Sequence, residues 1–84
     1  GGKKMYTIRA LYIGDVRYSE SPVFEFNKEE GVFEMLGDKE FRYPVEAILE
    51  DDDWMVFKIR HRGNIEEGEV RYIGRSELRN ILGM

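Results

Sequence analysis

The stretch Glu40–Arg62 constrains the fold of this chain more than any other part of the sequence. Side chains alternate along it in two runs, one on each side of the acidic corner Asp51–Asp53. Alternation with a period of two residues over eight or more positions is typical of a β-strand with one face against a core. The sequence therefore predicts two long β-strands that turn around the acidic corner.

Shorter strands are predicted on both sides of this stretch, at residues 5–13, 23–27, 32–36 and 69–73. Turns separate them, and Gly31 is expected to supply the positive φ that a tight turn needs. Residues 63–68 are predicted to be a polar loop. Pro22 favours either an edge position or the start of a strand, because proline cannot donate to a strand ladder.

A short helix is predicted at residues 75–83. Ser76 is the expected N-cap, and apolar side chains recur at helical spacing at Leu78, Ile81 and Leu82. Gly83 is a suitable residue for the C-terminal end. The helix is expected to close one open end of the sheet.

Six strands with short links and one helix predict a mainly β domain. The predicted architecture is a small antiparallel barrel or rolled sheet, SH3-like or OB-like, of about five to six strands with a short C-terminal α-helix. A roll like that of pleckstrin-homology domains is the alternative. Residues 1–84 are predicted to form this single domain, with Gly1–Lys4 an added or disordered leader and Met5 the native start.

Composition limits where the protein works. Cysteine is absent, which favours a reducing compartment, and the longest apolar run, Trp54–Phe57, is far too short to span a membrane. We therefore predict a cytoplasmic protein without membrane attachment. Charged residues make up 36% of the chain and glutamine is absent, a composition reported for proteins of thermophiles.

No motif for catalysis, a metal or a cofactor stands out. Nucleophilic catalysis needs a nucleophilic side chain beside a general base. His61 is the sole histidine, and no serine stands in a recognisable pattern with it. A calcium loop starting at Asp51 would need oxygen ligands where Met55 and Arg62 stand. A phosphate loop at residues 63–68 would need lysine where Glu69 follows. We therefore predict a non-enzymatic protein that holds neither a metal nor a cofactor.

The most distinctive pattern is a basic and aromatic strand face. Alternate residues of a strand lie about 7 Å apart on one side, a spacing suited to stacking bases and pairing phosphates. Basic residues of the last strand and helix extend the set. The predicted binding residues are Trp54, Lys58, Arg60, Arg62, Arg71 and Arg75.

Charge distribution favours a protein partner over nucleic acid. Residues 1–53 carry 7 basic and 13 acidic side chains, whereas residues 54–84 carry 6 and 4. Such asymmetry suits electrostatically steered docking on another protein, while the net charge of −4 opposes general attraction to nucleic acid. We predict a protein–protein interaction module, with nucleic-acid binding as the alternative, that is either a monomer or a homodimer paired through an edge strand near Pro22–Asn27.

Overall fold

The computed structural model describes residues 4–14, 21–62 and 65–84, with the backbone alone described at positions 4, 62, 67 and 69. In these ranges the chain is mainly β and ends in a short helix, as the sequence predicts. The elements in chain order are β1 (Lys4–Tyr12), β2 (Val23–Asn27), β3 (Val32–Met35), β4 (Asp38–Pro44), α1 (Val45–Glu50), β5 (Trp54–Arg62), β6 (Ile65–Ile73) and α2 (Arg75–Leu82).

The described strands form one antiparallel sheet in the order β4-β3-β2-β1-β5-β6. The end strands β4 and β6 do not pair with each other, so the sheet is not closed and the predicted barrel is not confirmed. The predicted edge position of Pro22–Asn27 is wrong, because β2 lies between β1 and β3. Pro22 directly precedes β2 and so removes no ladder bond within the strand.

The first of the two predicted long strands is wrong in its second half. It continues as β4 to Pro44, and the chain then turns into α1. Val45, Ile48 and Leu49 are buried together at helical spacing, which a strand would place on opposite faces. The acidic corner Asp51–Asp53 therefore joins a helix to a strand, and the Asp53 amide donates to Asp51 Oδ1 at 2.9 Å.

The boundaries of the last two elements also differ from expectation. β6 begins at Ile65, within the predicted loop, and its pairing with β5 shifts register near Gly68, whose φ is +75°. The predicted cap Ser76 lies inside α2, and Gly74 occupies the N-cap position without a side-chain hydrogen bond. The predicted role of Gly83 is confirmed, since it ends the helix with φ +76°.

Both helices pack on the same side of the sheet, which we call the covered face. Its buried core combines side chains from β1, β2, β3, β5 and β6 with those of α1 and α2. The opposite side, on which neither described helix packs, is called the open face. The buried core residues are Ile8, Ala10, Phe24, Phe33, Val45, Ile48, Leu49, Trp54, Val56, Ile73 and Leu78.

Candidate functional site

Trp54, the aromatic residue of the predicted binding set, is part of the core. Only 7% of it is exposed, and its ring lies 5.3 Å from those of Tyr12 and Phe24 and 5.4 Å from that of Tyr43, between centroids. Alternation on β5 placed Trp54 and Lys58 on one face, which was predicted to be the binding face. That face is the covered one, so Trp54 packs in the core beside α1 and the acidic corner.

Lys58 and Arg71 come together through one carboxylate on α2. They are cross-strand neighbours, and Glu77 lies 3.6 Å from Lys58 Nζ and 3.3 Å from an Arg71 terminal nitrogen. The Lys58 ammonium also lies 4.6 Å from the centroid of the Tyr6 ring. The positive charges of this pair are therefore partly compensated within the chain.

Arg75 acts as a structural clasp. Its Nε donates to the Leu49 carbonyl at 3.0 Å, a terminal nitrogen donates to the Asp51 carbonyl, and the Asp52 carboxylate lies 3.5 Å away. The last carbonyls of a helix lack partners within the helix, which explains why a guanidinium settles there. Arg75 thus ties α2 to the end of α1 and the acidic corner.

The two remaining predicted residues lie toward the far end of β5. Arg60 is half-buried opposite Tyr6 of β1. For Arg62 the structure gives the backbone position alone, opposite Lys4 and Ile65. The structure therefore brings Lys58 and Arg71 together, while Trp54 and Arg75 lie near the acidic corner.

The open face carries an apolar feature that sequence reasoning did not single out. Register pairs Phe57 with Tyr72 and Ile59 with Val70, which places four apolar side chains on one patch of β5 and β6. Tyr72 is 66% exposed and Val70 50%, whereas Ile59 is 7% exposed. We call these four residues the β5–β6 patch. The apolar character of both faces of β5 was the signal that could have revealed it.

Ion pairs border this patch. Arg9, next to Phe57 on β1, bridges Glu25 at 3.1 Å and Glu66 at 3.0 Å. Farther out, Arg42 contacts Glu30 and Glu34. Three acidic side chains of the first half of the chain, those of Glu25, Glu30 and Glu34, are therefore paired with arginines.

Metal-ligand side chains and the sole histidine have the following surroundings among the described residues. No three His, Cys, Asp or Glu side chains among them converge as metal ligands. The imidazole of His61 is hydrogen-bonded through Nε2 to the Thr7 hydroxyl on the open face. Neither described helix is long and apolar enough to cross a membrane.

No protein-family model matches this chain, and it has no significant match among the curated proteins or the solved structures.

Proposed function

We propose that this chain is a non-enzymatic binding domain whose partner is another protein. The β5–β6 patch carries the proposal. Apolar side chains that remain exposed on a folded domain, bordered by charged groups, resemble the apolar centre and polar rim of protein interfaces. Tyrosine is also among the residues that most often dominate binding energy at such interfaces. A cytoplasmic location is part of this proposal.

The position of β6 adds support. Within the described part of the chain β6 pairs with β5 alone, so its other side offers backbone groups to a further strand. Ile65, at the start of β6, is 70% exposed. A partner that adds a strand here would cover both the edge and the neighbouring patch. An edge-paired homodimer is the simplest version of this arrangement, now at β6 instead of β2.

Nucleic-acid binding is the weaker alternative. Three of its predicted residues have partners within the chain: Lys58 and Arg71 share Glu77, and Arg75 donates to main-chain carbonyls. To bind phosphates, these side chains would have to break their contacts within the chain and form new ones with the phosphate oxygens. Sequence-independent strand binding relies instead on accessible cations and exposed stacking rings, and Trp54 is buried.

Affinity capture with matched variants tests the proposal. Val70→Thr combined with Tyr72→Thr removes the exposed part of the patch and retains β-forming residues. The control combines Leu36→Thr with Phe41→Thr, which are 42% and 58% exposed near the opposite edge of the sheet. We expect bound proteins that the parent and the control retain and the patch variant loses. The same proteins on all three variants would contradict the proposal.

Light scattering tests the homodimer version separately. The mass should rise toward that of a dimer between micromolar and millimolar protein, and the patch variant should remain monomeric. A parent protein that is monomeric throughout would remove self-association and leave a different protein as the partner.

A further inference from the structure

A second feature lies on the covered face, away from the β5–β6 patch. Near the acidic corner a cavity of about 440 Å³ opens between strands β1, β2, β4 and β5. This volume falls within the range of about 300–1,000 Å³ typical of small-ligand sites. We call it the aromatic pocket. Its lining residues are Tyr12, Pro22, Phe24, Tyr43, Asp51 and Trp54.

Four aromatic rings form most of its wall. Trp54 is inclined by 60° to Tyr12, by 83° to Phe24 and by 63° to Tyr43. Rings inclined this steeply contact one another edge to face and do not form a flat stack. The pocket deepens toward Phe24 and Trp54, which are buried, while Tyr43 is 43% exposed and Pro22 is also exposed at the rim.

The pocket is also negative in character. The face of an aromatic ring carries negative electrostatic potential, which attracts cations. Among the described residues that line the pocket, Asp51 is the charged one, and two further carboxylates, those of Asp52 and Asp53, follow it in the chain. Arg75 contacts this corner, donating to the Leu49 and Asp51 main-chain carbonyls and lying 3.5 Å from the Asp52 carboxylate. The ion pair of Arg75 is therefore with Asp52, which does not line the pocket.

We propose that the aromatic pocket binds a methylated ammonium group, the cation found in trimethyllysine side chains and in choline. Methyl groups make such a cation apolar at its surface, so it contacts aromatic walls and loses little hydration, while its charge interacts with the ring faces and with Asp51. An ordinary apolar ligand would use the rings but would not interact with the negative charge of Asp51. The charge of Asp51 is what favours a cation.

This proposal is independent of the proposed protein-binding role of the β5–β6 patch, because the two sites lie on opposite faces of the sheet. A failure of either one leaves the other unaffected. The variants Tyr43→Ala in the pocket and Tyr72→Ala in the patch, compared below, also separate the two proposals.

An amide and indole NMR titration of the full chain tests the inference. The probes are tetramethylammonium, choline and trimethyllysine amide, each at matched ionic strength. The neutral control is 3,3-dimethylbutanol, in which a tert-butyl group replaces the trimethylammonium group of choline. We expect saturable shifts at the Trp54 indole with the cations and much weaker shifts with the alcohol. Tighter binding of trimethyllysine would indicate a modified protein as the source, and tighter binding of choline a small molecule or headgroup.

Variants locate the binding. Tyr43→Ala should weaken binding by about threefold to thirtyfold through loss of a cation–π wall, whereas Tyr72→Ala on the open face should not change it. Asp51→Asn keeps an oxygen for the Asp53 amide and should weaken binding by up to about fivefold. Asp38→Asn is its control, because Asp38 accepts the Glu40 amide in a similar turn outside the pocket. Absence of saturable shifts at the Trp54 indole, or equal binding of the neutral alcohol, would overturn the inference.

Discussion

The two faces of the sheet use the same strands for different purposes. On the covered face, large side chains such as Phe33 and Ile48 are almost fully buried beneath or within the helices. On the open face, charged pairs alternate with apolar residues such as Val70 and Tyr72 that remain exposed. The covered face therefore holds most of the buried apolar core, and the open face is where we propose that a partner protein binds.

β5 shows the same contrast along a single strand. Its covered-face residues begin with buried Trp54 and Val56 and continue with Lys58, which pairs with Glu77. The apolar core ends at Lys58, because the side chain of α2 that contacts it is the carboxylate of Glu77 and not an apolar group. A strand face predicted from alternation alone is therefore not uniform, because the elements packed on it change along its length.

The largest contrast is expected between Phe33→Ala and Tyr72→Ala. Phe33 is fully buried, so its truncation should lower the free energy of unfolding by about 3–5 kcal/mol. Tyr72 is mostly exposed, and its truncation should cost about 0.5 kcal/mol. Urea unfolding followed by Trp54 fluorescence measures both. If Phe33→Ala does not fold, Phe33→Leu should still lose about 1 kcal/mol. Equal losses of unfolding free energy at positions 33 and 72 would contradict the expected difference between the covered and open faces.

A smaller effect is expected at the clasp formed by Arg75. Arg75→Met keeps much of the side-chain volume but removes hydrogen bonds to the Leu49 and Asp51 carbonyls, and should lower the free energy of unfolding by about 1–2 kcal/mol. Arg79→Met is the control on the exposed side of the same helix, where the change should stay within about 0.5 kcal/mol. Thermal unfolding of the two variants measures whether the Arg75 hydrogen bonds stabilise the fold. Similar losses of stability in both variants would contradict this role of Arg75.

The sequence predicted some of these features and missed others for physical reasons. β5 was predicted with its observed ends because its alternation is uninterrupted over nine residues. α1 was missed because Val45, Ile48 and Leu49 fit a helix as well as part of an alternating run, and packing against the core decided between them. The pairing of β1 with β5 was not predicted either, since it joins residues far apart in sequence.

The candidate sites were harder to predict than the fold. Alternation placed Trp54 and Lys58 on one face, but it carries no information about which helix covers that face. The aromatic pocket combines Tyr12, Tyr43 and Trp54 from three strands, and only the sheet order brings them together. The pairing of Lys58 with Glu77 could not be predicted from the neighbouring sequence for the same reason.

The smallest effect is expected on the open face at Arg9. Arg9→Met removes the bridge between Glu25 and Glu66 and should lower the free energy of unfolding by up to about 1 kcal/mol, since these pairs are partly exposed. The difference from the parent should shrink as salt is added, because salt screens such pairs. Urea unfolding at low and high salt measures it. A loss as large as that of Phe33→Ala would show that the open face also carries the fold.

Methyl NMR with a soluble paramagnetic probe measures directly how far each face of the sheet is exposed. We predict strong broadening of the Val70 methyl signals on the open face and protection of the Ile48 and Leu78 methyls between the helices and the sheet. Phe57 and Tyr72 ring signals should follow Val70 at least in part. Protection of Val70 equal to that of Ile48 would contradict an open face and, with it, the proposed site of protein binding.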